Sequence, residues 1–133
     1  MIKKKTTTDL FVTYSPTDVG LASLVADECR AAGLDVFHWG ELPTGAPSLE
    51  LRREIVESSA VVFLVTRSFV DSPDLPLQIG WAMAWSKPVY ILHDGLQPSE
   101  IPQYLRQFKL YPIARLAAAI REIKKGLQSL TED

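Results

Sequence analysis

The chain has 133 residues, 47% hydrophobic and 23% charged, with a formal net charge of -2. That length fits one domain with one sizeable core, and the balance is that of a folded chain rather than a disordered one. So small a charge gathers no polyanions, which excludes nucleic acid as an expected partner, and a lone Cys29 beside only His38 and His93 excludes a disulfide framework and argues against a zinc site.

A reducing cytoplasm is the setting such cysteine usage favours. Residues 1–8 read as a flexible basic tail, because Met1-Ile2-Lys3-Lys4-Lys5 is followed by threonines rather than by an apolar leader core. The domain is expected over residues 9–133, and no apolar run is long enough to span a bilayer, so no membrane partner is expected.

Leu10-Phe11-Val12-Thr13-Tyr14 is the first strand candidate. Ser15-Pro16-Thr17-Asp18 then reads as a helix start: a hydroxyl cap, proline at the first helical position and an acid three residues after the cap. Leu21, Leu24, Val25 and Cys29 mark the inward face of that helix, and Gly33 supplies the stop. Asp35 to Trp39 is a second short strand, followed by a glycine- and proline-rich loop up to Pro47.

A helix over Ser48 to Ser58 turns Leu51, Ile55 and Val56 inward, and Ala60 to Thr66 is apolar on both faces, as a central parallel strand must be. A third helix starts near Asp74, a fourth strand covers Pro88 to Leu92, and a fifth covers Phe108 to Tyr111. The last helix has the clearest period, with Ile113, Leu116, Ala117, Ile120, Ile123, Leu127 and Leu130 on one stripe.

Strands alternating with helices imply a parallel sheet covered on both faces by right-handed crossovers. The fold class is therefore α/β, a flavodoxin-like three-layer α/β/α sandwich on a five-stranded parallel sheet. Ligands of such folds gather beyond the carboxyl ends of the strands, where the strand order switches. The loop at Ser15, the loop from His38 to Pro47 and the start of the third helix are expected to converge there.

Other occupants of this architecture fail at their sites. A phospho-acceptor receiver needs acids after strand one and at the end of strand three, where this chain has Thr13-Tyr14-Ser15 and Val65-Thr66-Arg67. A flavodoxin phosphate loop is matched only weakly by Tyr14 to Gly20, since Asp18 would repel phosphate. Neither a P-loop lysine motif nor G-x-G-x-x-G occurs.

Five stretches taken in order carry a family resemblance. Asp9-Leu10-Phe11-Val12-Thr13-Tyr14-Ser15 with Asp18, then Gly33 to Phe37 and Pro43-Thr44-Gly45, then Val61 to Thr66 and Ser72-Pro73 leading to Gln78 and Trp81, resemble the TIR (Toll/interleukin-1 receptor) domain. The resemblance spans about Asp9 to Leu92 by motif and the rest by pattern. Family members of the stand-alone bacterial type cleave NAD between nicotinamide and ribose, in immune signalling systems that act against phage.

Three positions depart from the family: Asp74 stands where many relatives have an aromatic residue, Trp39 where many have an acid, and Gln78 where the catalytic glutamate stands. The resemblance implies Gln78 as the catalytic position, with Ser15, Trp39, Gly45 and Ser72 as nucleotide-binding candidates and no metal. NAD is then substrate or ligand rather than a prosthetic group. A cation-like sugar transition state is stabilised by an adjacent anion, which an amide does not supply. The site as written is built to bind better than it cleaves.

Three readings of Gln78 stay open on sequence: a surface amide, a natural loss of activity, or a Glu→Gln exchange that holds substrate. The resemblance also implies self-association through the 38–47 loop and a nucleotide messenger passed to a separate effector protein. The alternative function is a non-catalytic TIR adaptor that signals by self-association alone. Among the bland readings, Ser15 is a helix cap, Cys29 is core, His38 and His93 have no special role, and Trp81 and Trp85 form packing or an oligomer face.

Overall fold

A computed structural model describes residues 8–38 and 48–131. Trp39, Gly45 and all of the 38–47 loop beyond His38 lie outside the described residues, as does the tail up to residue 7. In chain order the elements are β1 (Thr8–Thr13), α1 (Val19–Ala31), β2 (Val36–His38), α2 (Ser48–Glu57), β3 (Ser58–Val65), α3 (Arg67–Val70), α4 (Asp74–Ala84), β4 (Val89–His93), β5 (Lys109–Pro112) and α5 (Leu116–Thr131).

The five strands form one sheet in the order β2-β1-β3-β4-β5, with every neighbouring pair parallel. Leu10 pairs with Val36, Phe11 with Val61, Phe63 with Ile91 and Ile91 with Leu110. Thr8, placed by the sequence at the end of the tail, already pairs with Ser58 as the first residue of β1.

Successive strand side chains point to opposite faces, and this alternation divides the core in two. Leu10, Val12, Val62, Leu64 and Leu92 pack beneath Ala22, Val25, Ala26 and Cys29 of α1 and Ala119, Ile120 and Ile123 of α5. Phe11, Val61, Phe63, Val65 and Ile91 pack beneath Leu51 and Ile55 of α2 and Leu75, Ile79 and Ala82 of α4. Two 3-10 turns, Pro98–Glu100 and Gln103–Leu105, carry Ile101 and Leu105 into the second cluster. This is the expected three-layer α/β/α sandwich.

Two inward faces differ from expectation. Leu24 is exposed while Ala22 and Ala26 are buried, and Ala117 is exposed while Ala119 is buried. In both helices the contact arc is set by alanines that let the helix axis approach the sheet, so a period drawn through every large apolar residue is misplaced. Leu24 lies about half a turn from the centre of the arc formed by Ala22, Val25, Ala26 and Cys29.

Candidate functional site

The strand order reverses direction at β1: the chain leaves it for β2 on one side and returns through α2 to β3 on the other. Such a switch leaves a crevice beyond the carboxyl ends of the two central strands. β1 ends there in Thr13, Tyr14 and Ser15, and β3 ends there in Val65 and Thr66. Thr13, Ser15 and Thr66 are buried, and with Ser58 and Gln78 they are the buried polar residues among those described.

Gln78 sits in the second turn of α4, on the side that faces the sheet, between the core residues Leu75 and Ile79. It is 1% exposed, so it is not a surface amide. Its Oε1 accepts a hydrogen bond from Thr13 Oγ1 at 2.5 Å. Thr13 points to this side of the sheet because it shares strand parity with Phe11. No fully buried polar side-chain atom lacks a partner among the described residues, and the Gln78 amide nitrogen makes no hydrogen bond there. The nitrogen is therefore the end of the side chain that keeps this trace of exposure.

On the other side of the crevice, Thr66 Oγ1 donates to Asp18 Oδ2 at 2.5 Å. This bond ties the end of β3 to the start of α1 across the switch. The sequence reads Ser15 as a hydroxyl cap with proline next and an acid three residues on, and the structure keeps these positions but not the side-chain cap. A 3-10 turn, Pro16–Asp18, precedes α1, and the Asp18 N–H donates to the Ser15 backbone carbonyl at 2.8 Å. Ser15 holds the N-cap position without a side-chain cap, and its hydroxyl lies 3.4 Å from Thr17 Oγ1. The tight turn consumes the donor that a cap would have satisfied, which leaves the Ser15 hydroxyl at the crevice instead.

Tyr14 is buried in the cluster beneath α1, and its phenol oxygen lies 3.0 Å from Nδ1 of His38, the last residue of β2. His93 ends β4, and burial lowers its pKa, an effect that Asp94 opposes. Burial pushes the Cys29 thiol up to about 11, aided by Glu28 and countered by Arg30, so Cys29 is unreactive core. Among the described residues no three His, Cys, Asp or Glu side chains cluster closely enough to hold a metal ion, and no helix is long and apolar enough to cross a membrane.

Of the five residues singled out from sequence, Gln78 and Ser15 lie at the carboxyl end of β1, Gln78 through its bond to Thr13 and Ser15 two residues further on. Ser72 serves the backbone at the start of α4, where its Oγ accepts from the Asp74 N–H at 3.1 Å. No hydrogen bond joins it to Gln78, Thr13 or Ser15. Trp39 and Gly45 are outside the described residues. Sequence reasoning missed Thr13 and Thr66 as site residues, although both are hydroxyls that interrupt apolar strands at their carboxyl ends. Polar atoms there are unexpected unless they are paired or used.

No family model and no curated protein matches the sequence. Solved structures do match it. A TIR-STING receptor from C. gigas, in complex with 2',3'-cGAMP, superposes with a TM-score of 0.76 at 15% identity over 92% of this chain. This chain spans 41% of that receptor's length. The TIR domain of the Toll-related receptor TRR-2 from Hydra magnipapillata gives 0.71 at 15% identity, covering 92% of this chain and 99% of that domain. The TIR domains of the activated Roq1 resistosome, which directly recognises the effector XopQ, give 0.61 at 16% identity over 95% of this chain and 76% of theirs. At such identities the likeness speaks of architecture, and by its sheet order, its flanking helices and these neighbours the chain has the fold of a TIR domain.

Proposed function

We propose that the crevice between β1 and β3 is a nucleotide site that binds NAD, and that a glutamate at position 78 turns binding into cleavage of the nicotinamide–ribose bond. The observation that supports this reading is the burial of Gln78 with its oxygen tethered to Thr13 and its nitrogen without a hydrogen-bond partner among the described residues. An amide used only for packing has no reason to displace an apolar residue between Leu75 and Ile79. The Thr13 hydroxyl that donates to Gln78 Oε1 would equally donate to one oxygen of a glutamate at this position.

The roles follow from position. With glutamate in place of Gln78, Thr13 would hold one carboxylate oxygen and leave the other facing the ribose, where positive charge develops as nicotinamide departs. Gln78 keeps the shape and a donor for the ribose hydroxyls while removing the stabilising anion. The Ser15 hydroxyl supplies a further donor or acceptor at the crevice. The Thr66–Asp18 bond ties the end of β3 to the start of α1, which helps these groups keep their spacing.

In this reading the protein acts in a bacterial immune signalling system in the cytoplasm, and passes a nucleotide product to a separate effector. The ligand of the TIR-STING receptor is not carried over, since this chain spans less than half of that one. A second reading rests on Gln78 itself: with an amide at the catalytic position, a domain of this fold that signals by association alone needs no turnover.

The test is NAD turnover by the chain and by its Gln78→Glu variant at high protein concentration. The variant is expected to exceed the parent by at least ~10²-fold, the scale of gaining a positioned catalytic group. Equal rates in two folded proteins would remove position 78 from the chemistry and favour the association reading.

A further inference from the structure

α1 and α4 both start at the carboxyl edge of the sheet, since each returns the chain from one parallel strand to the next. Each begins with an acid. Asp18 stands half-buried at the N-cap of α1, and Asp74 is the first residue of α4. A helix N-terminus is a ready seat for a phosphate, because its N–H groups and dipole favour negative charge. At this edge a carboxylate of the chain itself already stands at each seat. Asp18 Oδ2 accepts from Thr66, and the other carboxylate oxygen makes no hydrogen bond among the described residues. Asp74 lies four residues before Gln78, one turn nearer the carboxyl edge on the same side of α4, and makes no ion pair among the described residues.

Cations do not offset these acids. From Thr13 to Ala26 and from Thr66 to Ala84 the one basic residue is Arg67, and its guanidinium is bound to Glu100. His38 is engaged with Tyr14. Arg52 and Arg53 sit on the exposed side of α2, away from Leu51 and Ile55, and Arg53 pairs with Glu50. Residues 39–47, outside the described residues, contain Glu41 and no basic side chain.

We infer that the crevice, binding NAD as proposed, takes the cationic pyridinium riboside end and leaves the phosphates in solvent, so that nicotinamide riboside, which has no phosphate, binds at least as tightly as NAD. The inference rests on the NAD reading of the site and adds which part of the ligand the site selects. Two carboxylates beside the crevice attract a pyridinium and repel a phosphate through the same Coulomb interaction. Uncharged groups for the ribose hydroxyls are present as well: the Ser15 hydroxyl, and the Gln78 amide nitrogen, which has no hydrogen-bond partner among the described residues on a side chain only 1% exposed. Asp74, a departure from the family in sequence, thereby becomes with Asp18 a determinant of ligand choice.

Nicotinamide riboside, nicotinamide mononucleotide and NAD, each titrated into the full chain and followed by NMR at Thr13, Ser15, Thr66 and Gln78, test this. The riboside is expected to saturate with a Kd no higher than that of NAD. The mononucleotide, whose phosphate meets the two acids, is expected to bind about 3- to 10-fold more weakly than the riboside, a gap that added salt narrows. Asp18→Asn, which keeps an oxygen for the Thr66 hydroxyl, and Asp74→Asn, at an exposed position, are each expected to reduce the gap, and together to close it to within about twofold with unchanged circular dichroism. Tighter binding of the mononucleotide or of NAD than of the riboside would overturn the inference and leave the NAD reading standing. So would a preference for the riboside that neither substitution changes. If none of the three binds at the crevice, the NAD reading itself falls, and the inference with it.

Discussion

Gln78 and Thr13 form a buried pair whose worth lies in satisfaction rather than in attraction. A neutral hydrogen bond contributes about 0.5–1.5 kcal/mol net, but a buried acceptor left without its donor costs about 1–3 kcal/mol. Thr13→Val is therefore expected to destabilise by about 1–3 kcal/mol, and Gln78→Met, which removes the need for the donor, to cost less in the Thr13→Val background than in the parent. Urea unfolding of the four proteins in a double-mutant cycle reads this directly, with a coupling of about 1 kcal/mol expected and none if the pair is incidental. At this scale the sequence identified the position but not its setting. Gln78 was legible through its distance from Ser72-Pro73, whereas its burial depends on a β1 hydroxyl 65 residues earlier in the chain, which no local pattern reports.

At the scale of elements, the central strands and α5 were legible because their apolar content and period are strong. Capping was less so. α1 closes in a Schellman motif, with the Leu34 N–H on the Cys29 carbonyl, the Gly33 N–H on the Arg30 carbonyl and Gly33 at a φ of 94°. α4 closes the same way, with the Lys87 N–H on the Ala82 carbonyl and the Ser86 N–H on the Met83 carbonyl, but the left-handed position is Ser86 at a φ of 54°. A serine there hides the stop from a reading that looks for glycine. It also bears a conformational cost of about 1–2 kcal/mol that glycine avoids. Ser86→Gly is expected to stabilise by up to ~1 kcal/mol after the added freedom of the unfolded chain is subtracted, seen as a rise in Tm of a few degrees. An unchanged or lower Tm would mean that the Ser86 side chain contributes more than its backbone loses. The missed α3 has the opposite cause: four residues are too few to show a period.

For the whole molecule, the sheet order places every group of the proposed site at one edge. Thr13 ends β1 with Ser15 just beyond it, Thr66 follows β3, Asp18 stands ahead of α1 and Gln78 on α4, so four separate segments meet only because the strand order switches between β1 and β3. Strand–helix alternation made that meeting legible in outline. The partners within it were not, since they are set by which face each helix covers. If the crevice holds NAD in the chain as it stands, a titration with NAD followed residue by residue by NMR will report it there. Saturable shifts are expected at Thr13, Ser15, Thr66 and Gln78, with Kd on the order of 0.1–1 mM and the dinucleotide recovered intact. Shifts confined to other parts of the surface, or none at several millimolar NAD, would contradict it.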